Sequence, residues 1–443
     1  MSAASLRELG LDLLEERQPE RALAVFAESV RREPGDHQAR MMAARCLALL
    51  GEKERAVTAY HACAEGLVRR DYLLSAMLVC KLALELSPTE KRILDTLARI
   101  HARAVRDAPG KAKVPPPLPP SQLFDGVAGE GELMALSGAA LSDRAIAVLA
   151  TPDLGTAADP NARPPLPLFA DLELDAFLDL VNRMNYRRAK PGEAVCTQGQ
   201  GGESMYVLIA GKAEVSRQFG EDRKMLGSLS GGSIFGELSL LTGAPPTATV
   251  TATAQVELFE IWREHLNQLA KTFPSVPSAL AEFAQARMAR NLTATSPLFH
   301  GLDDFNRSAL LSRFRFRALA PGETVLVEGE HSPGLFLVLA GELVVQKEDP
   351  AGGQVSLGVL REGDVAGEIS LLTGLRASAT VVSTRKSATA FLDRAAFDAL
   401  TKSFPHAREY LQKISEDRLK QIGEALRPAE IIDADELVVT QDA

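Results

Sequence analysis

Residues 236–243 read Gly-Glu-Leu-Ser-Leu-Leu-Thr-Gly, and residues 367–374 read Gly-Glu-Ile-Ser-Leu-Leu-Thr-Gly. The two octapeptides lie 131 residues apart and differ at one position. The agreement continues on both sides. Upstream, Pro167-Leu168-Phe169 returns as Pro297-Leu298-Phe299, and Pro191-Gly192-Glu193 as Pro321-Gly322-Glu323. Gly199 matches Gly329 and Gly211 matches Gly341. One extra residue in the loop before Gly358 then shifts the register, so that Gly227 matches Gly358. Downstream, Val250 returns as Val381 and Phe273-Pro274 as Phe404-Pro405. Repetition over this period describes two similar domains in tandem.

Each copy follows one plan. Short β-type runs such as Met205–Ile209 and Leu335–Leu339 end at Ala-Gly pairs, and glycines punctuate the rest. The pattern predicts a short opening helix (172–184; 304–313), seven or eight strands, one helical turn (237–241; 368–372) and two closing helices (263–273 and 277–292; 394–404 and 406–426). Many short, evenly spaced strands indicate a small barrel or jelly roll. The Pro-Gly-Glu turns set hairpins, because Gly takes a positive φ at low cost.

The octapeptide carries the chemistry. Gly at its start lets the backbone come close to a bound group. A helix start presents free N–H groups to an anion. A carboxylate there, Glu237 or Glu368, suits a neighbouring hydroxyl such as a ribose 2′-OH. The combination reads as a sugar-phosphate site. The plainer alternative is that each Glu only complements the helix dipole.

Both copies resemble the cyclic-nucleotide-binding domain, the β-roll family that includes the catabolite activator protein and the regulatory subunits of cAMP-dependent protein kinase. The resemblance spans roughly Pro167 to Leu426 and rests on the Pro-Gly-Glu turn, the Gly199/Gly211 and Gly329/Gly341 pairs, and the segments Phe235-Gly236-Glu237 and Ala366-Gly367-Glu368. It implies two β-rolls with flanking helices, with Glu237 and Glu368 at the ribose. The chain departs from the family where an Arg should pair with the cyclic phosphate. The first copy has Pro246 there and the second Ala377, with Arg376 one residue early. Losing such a charge-assisted contact costs about 1.5–3 kcal/mol. Candidate ligand-binding residues are therefore Gly236, Glu237, Leu238, Thr247 and Ala248 in the first copy, and Gly367, Glu368, Ile369, Arg376, Ser378 and Ala379 in the second. Thr247 and Ser378 would offer hydroxyls, and Arg376 would reach a phosphate only if its loop rearranged. The second site is the better candidate.

Residues 5–106 have a different texture. Apolar residues recur at three- and four-residue steps, with breaks near Pro19, Gly35, Gly51, Asp71 and Pro88. About six helices in stacked hairpins follow. Leu9-Gly10, Ala22, Phe26, Ser29 and Pro34 resemble a tetratricopeptide repeat, and Ala56 with Tyr60 repeat Ala22 and Phe26 after 34 residues. A third match, Ala76, Cys80, Ala83 and Pro88, comes only 20 residues later, so the phasing slips. A generic helical bundle is the alternative. Cys46, Cys63 and Cys80 are 17 residues apart, too far for metal-ligand spacing, and suit helix crossings. Residues 114–120, VPPPLPP, suit a stiff polyproline spacer or a docking segment. Residues 132–150 read as one or two Ala-rich helices able to pack on either neighbour.

The 443 residues carry 49 Lys+Arg against 58 Asp+Glu, a net charge of −9 that disfavours a nucleic-acid coat or polybasic anchor. Four cysteines exclude a disulfide scaffold and fit a reducing compartment. No 18-residue apolar run or signal-peptide pattern occurs, so the expected location is cytoplasmic. No metal-ligand spacing, Walker loop or nucleophile elbow appears, which argues against an enzyme. The 17 residues after Leu426 are acidic and short, so no DNA-reading module is expected there.

The expected architecture is multidomain α + β. An N-terminal α-helical hairpin array (1–106) and a Pro-rich linker (107–166) precede two β-roll, jelly-roll-like domains with flanking helices (167–295 and 296–427) and an acidic tail (428–443). The expected function is regulatory and non-enzymatic. A cyclic nucleotide, cAMP or cGMP, or a related phosphorylated ligand would bind the rolls, with no metal or cofactor. A protein partner would dock on the helical repeats. The alternative is a ligand-free scaffold with degenerate rolls. In the family that the rolls resemble, the equivalent of the last helix (here with Tyr410, Leu411, Ile414 and Leu419) often dimerises or caps the ligand; simple packing on its own roll is the equal alternative.

Overall fold

A computed structural model describes residues 2–107, 132–151, 167–219, 222–283, 296–299, 302–348 and 353–425. The polyproline stretch and the acidic tail lie outside the described residues. The chain divides into two compact units. One comprises Met1–Leu241 with Ala248–Ala284, and the other Gln285–Ala443 with Thr242–Thr247.

The first unit opens with six helices: α1 (Ala3–Glu15), α2 (Pro19–Arg32), α3 (His37–Leu49), α4 (Lys53–Arg69), α5 (Leu73–Leu86) and α6 (Lys91–Asp107). Their boundaries have local causes. Ser2 caps α1 by accepting from Ser5 N, and Arg17 turns left-handed (φ 59°) after it. Pro19 starts α2, where its missing N–H is no loss. Asp36 caps α3, accepting from Ala39 N at 2.9 Å, while Ser29 Oγ donates to it at 3.0 Å. Gly10 lies directly under the Phe26 ring: a Cβ there would stand 2.6 Å from the ring edge. That close approach is what the first tetratricopeptide-like match requires. The phase slip also has a cause. Ala22/Phe26 and Ala56/Tyr60 lie on second helices of hairpins, α2 and α4, whereas Ala76, Cys80 and Ala83 lie on a first helix, α5. All three cysteines of the array are buried, and burial pushes the Cys46 thiol up to about 12. They act as small core side chains.

Helix α7 (Gly138–Leu149) takes the array, not the roll, as its support. Leu141, Ala145 and Leu149 are buried there. Gly138 N donates to Glu20 Oε1 at 2.6 Å, Ser142 Oγ donates to Glu52 Oε1 at 2.6 Å, and Arg55 pairs with Asp143. Arg40, 1% exposed, donates to the carbonyls of Leu149, Thr151 (3.1 Å) and Pro34 (2.9 Å). Its cation therefore closes the C-terminal end of α7.

The array continues into the first roll without a break in the core. Leu67, Met77 and Ile100 belong to one apolar cluster with Phe169, Phe177, Met205 and Phe259. Lys81 Nζ donates to the Asn182 carbonyl at 2.6 Å, and His101 Nε2 donates to the Leu172 carbonyl at 2.8 Å. The His101 ring lies 5.0 Å from that of Phe177.

The first roll begins with α8 (Pro167–Ala170) and α9 (Leu174–Arg183). Eight strands follow: β1 (Asn185–Ala189), β2 (Ala194–Cys196), β3 (Ser204–Ala210), β4 (Lys212–Phe219), β5 (Asp222–Ser230), β6 (Ile234–Phe235), β7 (Thr249–Ala252) and β8 (Val256–Trp262). They form two antiparallel four-stranded sheets, β1-β8-β3-β6 and β2-β7-β4-β5. Helix α10 (Glu237–Thr242) interrupts the strands. Helix α11 (Arg263–Thr272) and a helical stretch over residues 275–283, α12, follow.

The second unit repeats this plan. After α13 (Asp304–Leu311) come β9 (Arg315–Leu319), β10 (Thr324–Leu326), β11 (Gly334–Ala340), β12 (Leu343–Glu348), β13 (Gln354–Leu360) and β14 (Val365–Ala366). Helix α14 (Glu368–Thr373), β15 (Thr380–Ser383), β16 (Ser387–Asp393), α15 (Arg394–Ser403) and α16 (Pro405–Ala425) complete it. The sheets are β14-β11-β16-β9 and β10-β15-β12-β13. Each Pro-Gly-Glu turn closes with its Glu: Glu193 accepts from Lys190 N at 3.1 Å and Glu323 from Ala320 N at 2.8 Å. Among the described residues no helix is long and apolar enough to cross a membrane, and no cluster of His, Cys, Asp or Glu is arranged to hold a metal ion.

Candidate functional site

The two short helices open at glycines with positive φ, 83° at Gly236 and 92° at Gly367. A Cβ at Gly367 would stand 2.6 Å from Gly334 O and from Ser332 Oγ, and one at Gly236 would stand 2.8 Å from Ser204 O. In this structure the glycines are demanded by the adjoining strand backbone, a cause that does not depend on a bound group. Ser370 then ties down the α14 turn, donating to Leu375 O at 2.6 Å and accepting from Ser332 N at 3.1 Å.

In the second roll these constraints leave a cavity of about 230 Å³. Gly367, Glu368, Ile369, Ser378 and Ala379 line it, so five of the six residues expected for this copy meet at one place. Ala377 lines it too, at the position that lacks an Arg. Arg376 is not among the lining residues. Its Nη1 donates to Gly329 O at 2.7 Å. The backbone holds it there: Gly329 N donates to Ala377 O at 2.9 Å, and Ala377 N to Glu330 O at 2.7 Å. Swinging the Arg376 side chain inward would break its bond to Gly329 O.

The charged lining groups are Asp364, Glu368 and Arg418. Glu368 is 1% exposed. Arg418 comes from α16, and its Nη1 donates to Glu368 Oε1 at 2.7 Å and to Val365 O at 2.5 Å. Gln421 and Ile422 complete the wall that α16 supplies. Ala407, Leu411 and Ser415 are buried while Leu419 is 44% exposed, so α16 both packs on its own roll and covers the cavity. Sequence reasoning missed Arg418. Its signal is a charge at helical spacing between Ile414 and Ile422, on a stripe otherwise read as apolar.

In the first roll, Gly236, Glu237 and Leu238 start α10, and Glu237 is buried at 6% exposure. Thr247 and Ala248 lie in the bend before β7. Arg263 steadies α10, its Nη2 donating to Ser239 O at 2.9 Å. The segment Arg187-Arg188-Ala189 is the end of strand β1 and pairs with Leu258, Glu257 and Val256 of β8.

A cyclic nucleotide-binding domain model matches residues 186–273 and 316–404, and a tetratricopeptide repeat model matches residues 13–62. The cAMP-dependent protein kinase regulatory subunit of Blastocladiella emersonii is 29% identical over 259 residues, covering 58% of this chain and 61% of that protein. That of Yarrowia lipolytica is 28% identical over 233 residues, covering 53% and 58%. The chain thus spans about three fifths of the length of these curated relatives, which are regulatory subunits rather than catalytic ones. Among solved structures, the regulatory domain of Toxoplasma gondii PKA with cAMP is 23% identical, with a TM-score of 0.29, and covers 56% of this chain and 92% of that one. The regulatory subunit of a cAMP-independent protein kinase A from Trypanosoma cruzi bound to guanosine is 22% identical, with a TM-score of 0.29, and covers 58% and 88%.

Proposed function

We propose that this chain, which carries two cyclic nucleotide-binding domains behind a tetratricopeptide-like helical region, is a non-catalytic sensor whose working site is the second roll. The ligand is a cyclic nucleotide such as cAMP or cGMP, or a related phosphorylated small molecule. Gly367, Glu368, Ile369, Ser378 and Ala379 receive it, and α16 reports occupancy to a protein partner. The observation that carries this reading is the cavity itself. It is lined by Gly367, Glu368, Ile369, Ser378 and Ala379, it holds a buried carboxylate, and a single helix, α16, covers it. A ligand that binds one seating of α16 better than another shifts that helix by its differential affinity. The soluble, cytoplasmic setting and the partner on the helical repeats belong to the same proposal. The test is calorimetric titration of the full chain with cAMP, cGMP and cyclic dinucleotides. Binding that Glu368→Ala weakens is the expected result; no heat at high micromolar ligand overturns the reading.

A second reading has its own observation. Pro246 and Ala377 stand where the phosphate Arg belongs, and Arg376 is turned to Gly329 O. On that reading the rolls are ligand-free docking modules. Recovery of a protein partner that is insensitive to nucleotides and to changes at Glu237 and Glu368 would favour it.

A further inference from the structure

We propose that Arg418 is the cation of the second cavity and decides what it selects, taking from the last helix the role that Ala377 leaves vacant. The inference rests on the sensor reading above. A guanidinium has five N–H donors in a planar fork. Here Nη1 is committed to Glu368 and Val365, while Nε and Nη2 make no hydrogen bond among the described residues. Glu368 is committed through Oε1, and Oε2 accepts no hydrogen bond among them. Both side chains line the cavity. The pair is thus internally fixed and externally unfinished. Glu368 holds the guanidinium in place and offers one carboxylate oxygen; Arg418 offers a two-donor edge. The only other charged lining group is Asp364, whose Oδ2 already accepts from Arg361 N at 2.8 Å.

The ligand that completes this arrangement carries a hydroxyl donor for the carboxylate and two coplanar acceptors for the guanidinium edge. Two phosphate oxygens supply such a pair. So does the O6/N7 edge of guanine. The shared chemistry is a two-acceptor edge on a molecule that also bears a sugar hydroxyl, and a ligand without that edge is discriminated against.

The test titrates the full chain, wild type, Arg418→Gln and Arg418→Lys, with cAMP, cGMP, adenosine and guanosine. Thermal melts show whether each variant is folded, and Arg418→Lys keeps a charge beside Glu368 without the fork. The expected result is at least a tenfold loss of affinity in Arg418→Gln, only partly recovered in Arg418→Lys. A phosphate source makes cAMP and cGMP fall together. A guanine source makes cGMP and guanosine fall while cAMP holds. Affinity that is unchanged in Arg418→Gln, or that rises or first appears there, makes Arg418 a bystander or a plug and overturns the inference while leaving the sensor reading standing. No binding by wild type or either variant overturns both.

Discussion

Lys81 Nζ, on a side chain 8% exposed, donates to the backbone carbonyl of Asn182, 101 residues away, at 2.6 Å. One charged hydrogen bond thus ties the middle of the helical array to the end of α9 in the first roll. Lys81→Met keeps the stem and deletes the donor, leaving a carbonyl unsatisfied. It should cost about 1–3 kcal/mol, read as a lower urea midpoint of the first unfolding transition. An unchanged midpoint would remove this contact from the account of docking.

Arg40 makes the corresponding prediction for α7. Arg40→Met strips the donors from the carbonyls of Pro34, Leu149 and Thr151. The expected loss is about 1.5–3 kcal/mol, with faster protease cleavage within residues 132–151. Cleavage at the wild-type rate would show that α7 is held by its apolar face alone.

Two glycines of equal conformation should respond unequally to alanine. Gly322 (φ 82°) has open space where a Cβ would go, and Gly322→Ala should cost only the left-handed strain, about 1–2 kcal/mol. Gly367 (φ 92°) meets Gly334 O and Ser332 Oγ at 2.6 Å, so Gly367→Ala should add ~1–3 kcal/mol of overpacking. Thermal melts of the two variants give the comparison. Equal shifts would mean that the strand beside Gly367 yields freely.

Arg376 should be dispensable for binding. It is tied to Gly329 O and does not line the cavity. Arg376→Ala should therefore leave the affinity of any ligand within about twofold, a difference of about 0.4 kcal/mol. A tenfold loss in a calorimetric titration would return it to the site.

Glu257 predicts a pH dependence. It stands in β8, where burial pushes its carboxyl up from the ordinary value of 4.5 against the pull of Arg188 and the Tyr186 hydroxyl, which donates to it at 3.0 Å. The folded state therefore holds this proton more tightly than the unfolded one. Its contribution to stability is present at low pH and is lost as pH rises from about 4.5 through the raised value. Wild type should gain more stability than Glu257→Gln as pH falls from 7 to 4.5, measured as urea midpoints. Parallel pH profiles would discard the assignment.

Much of the fold was legible because its punctuation is local. Pro19, Asp36, Gly51 and Pro88 break the helices where the sequence says they should, and the duplicated glycines mark matching turns in both rolls. That Gly367, Glu368, Ile369, Ser378 and Ala379 would come together was legible for the same reason. What was not legible depends on partners distant in sequence. Lys81 and His101 meet backbone carbonyls, which no side-chain pattern announces. Arg376 is held away by the pairing of Ala377 with Gly329 and Glu330, and Arg418 enters from 50 residues beyond Glu368. The slipped third repeat misled only because the small residues had moved to the other helix of the hairpin.

The continuous core joining the array to the first roll has a practical consequence. The proline-rich stretch invites an experimenter to cut the chain there. A fragment ending at residue 106 would expose the side chains around Met77 and Ile100, and its complement would bare Phe169 and Phe177, all members of one cluster. Newly exposed apolar faces of that kind associate. Expression boundaries for this protein therefore keep the helical repeats and the first roll together as one piece.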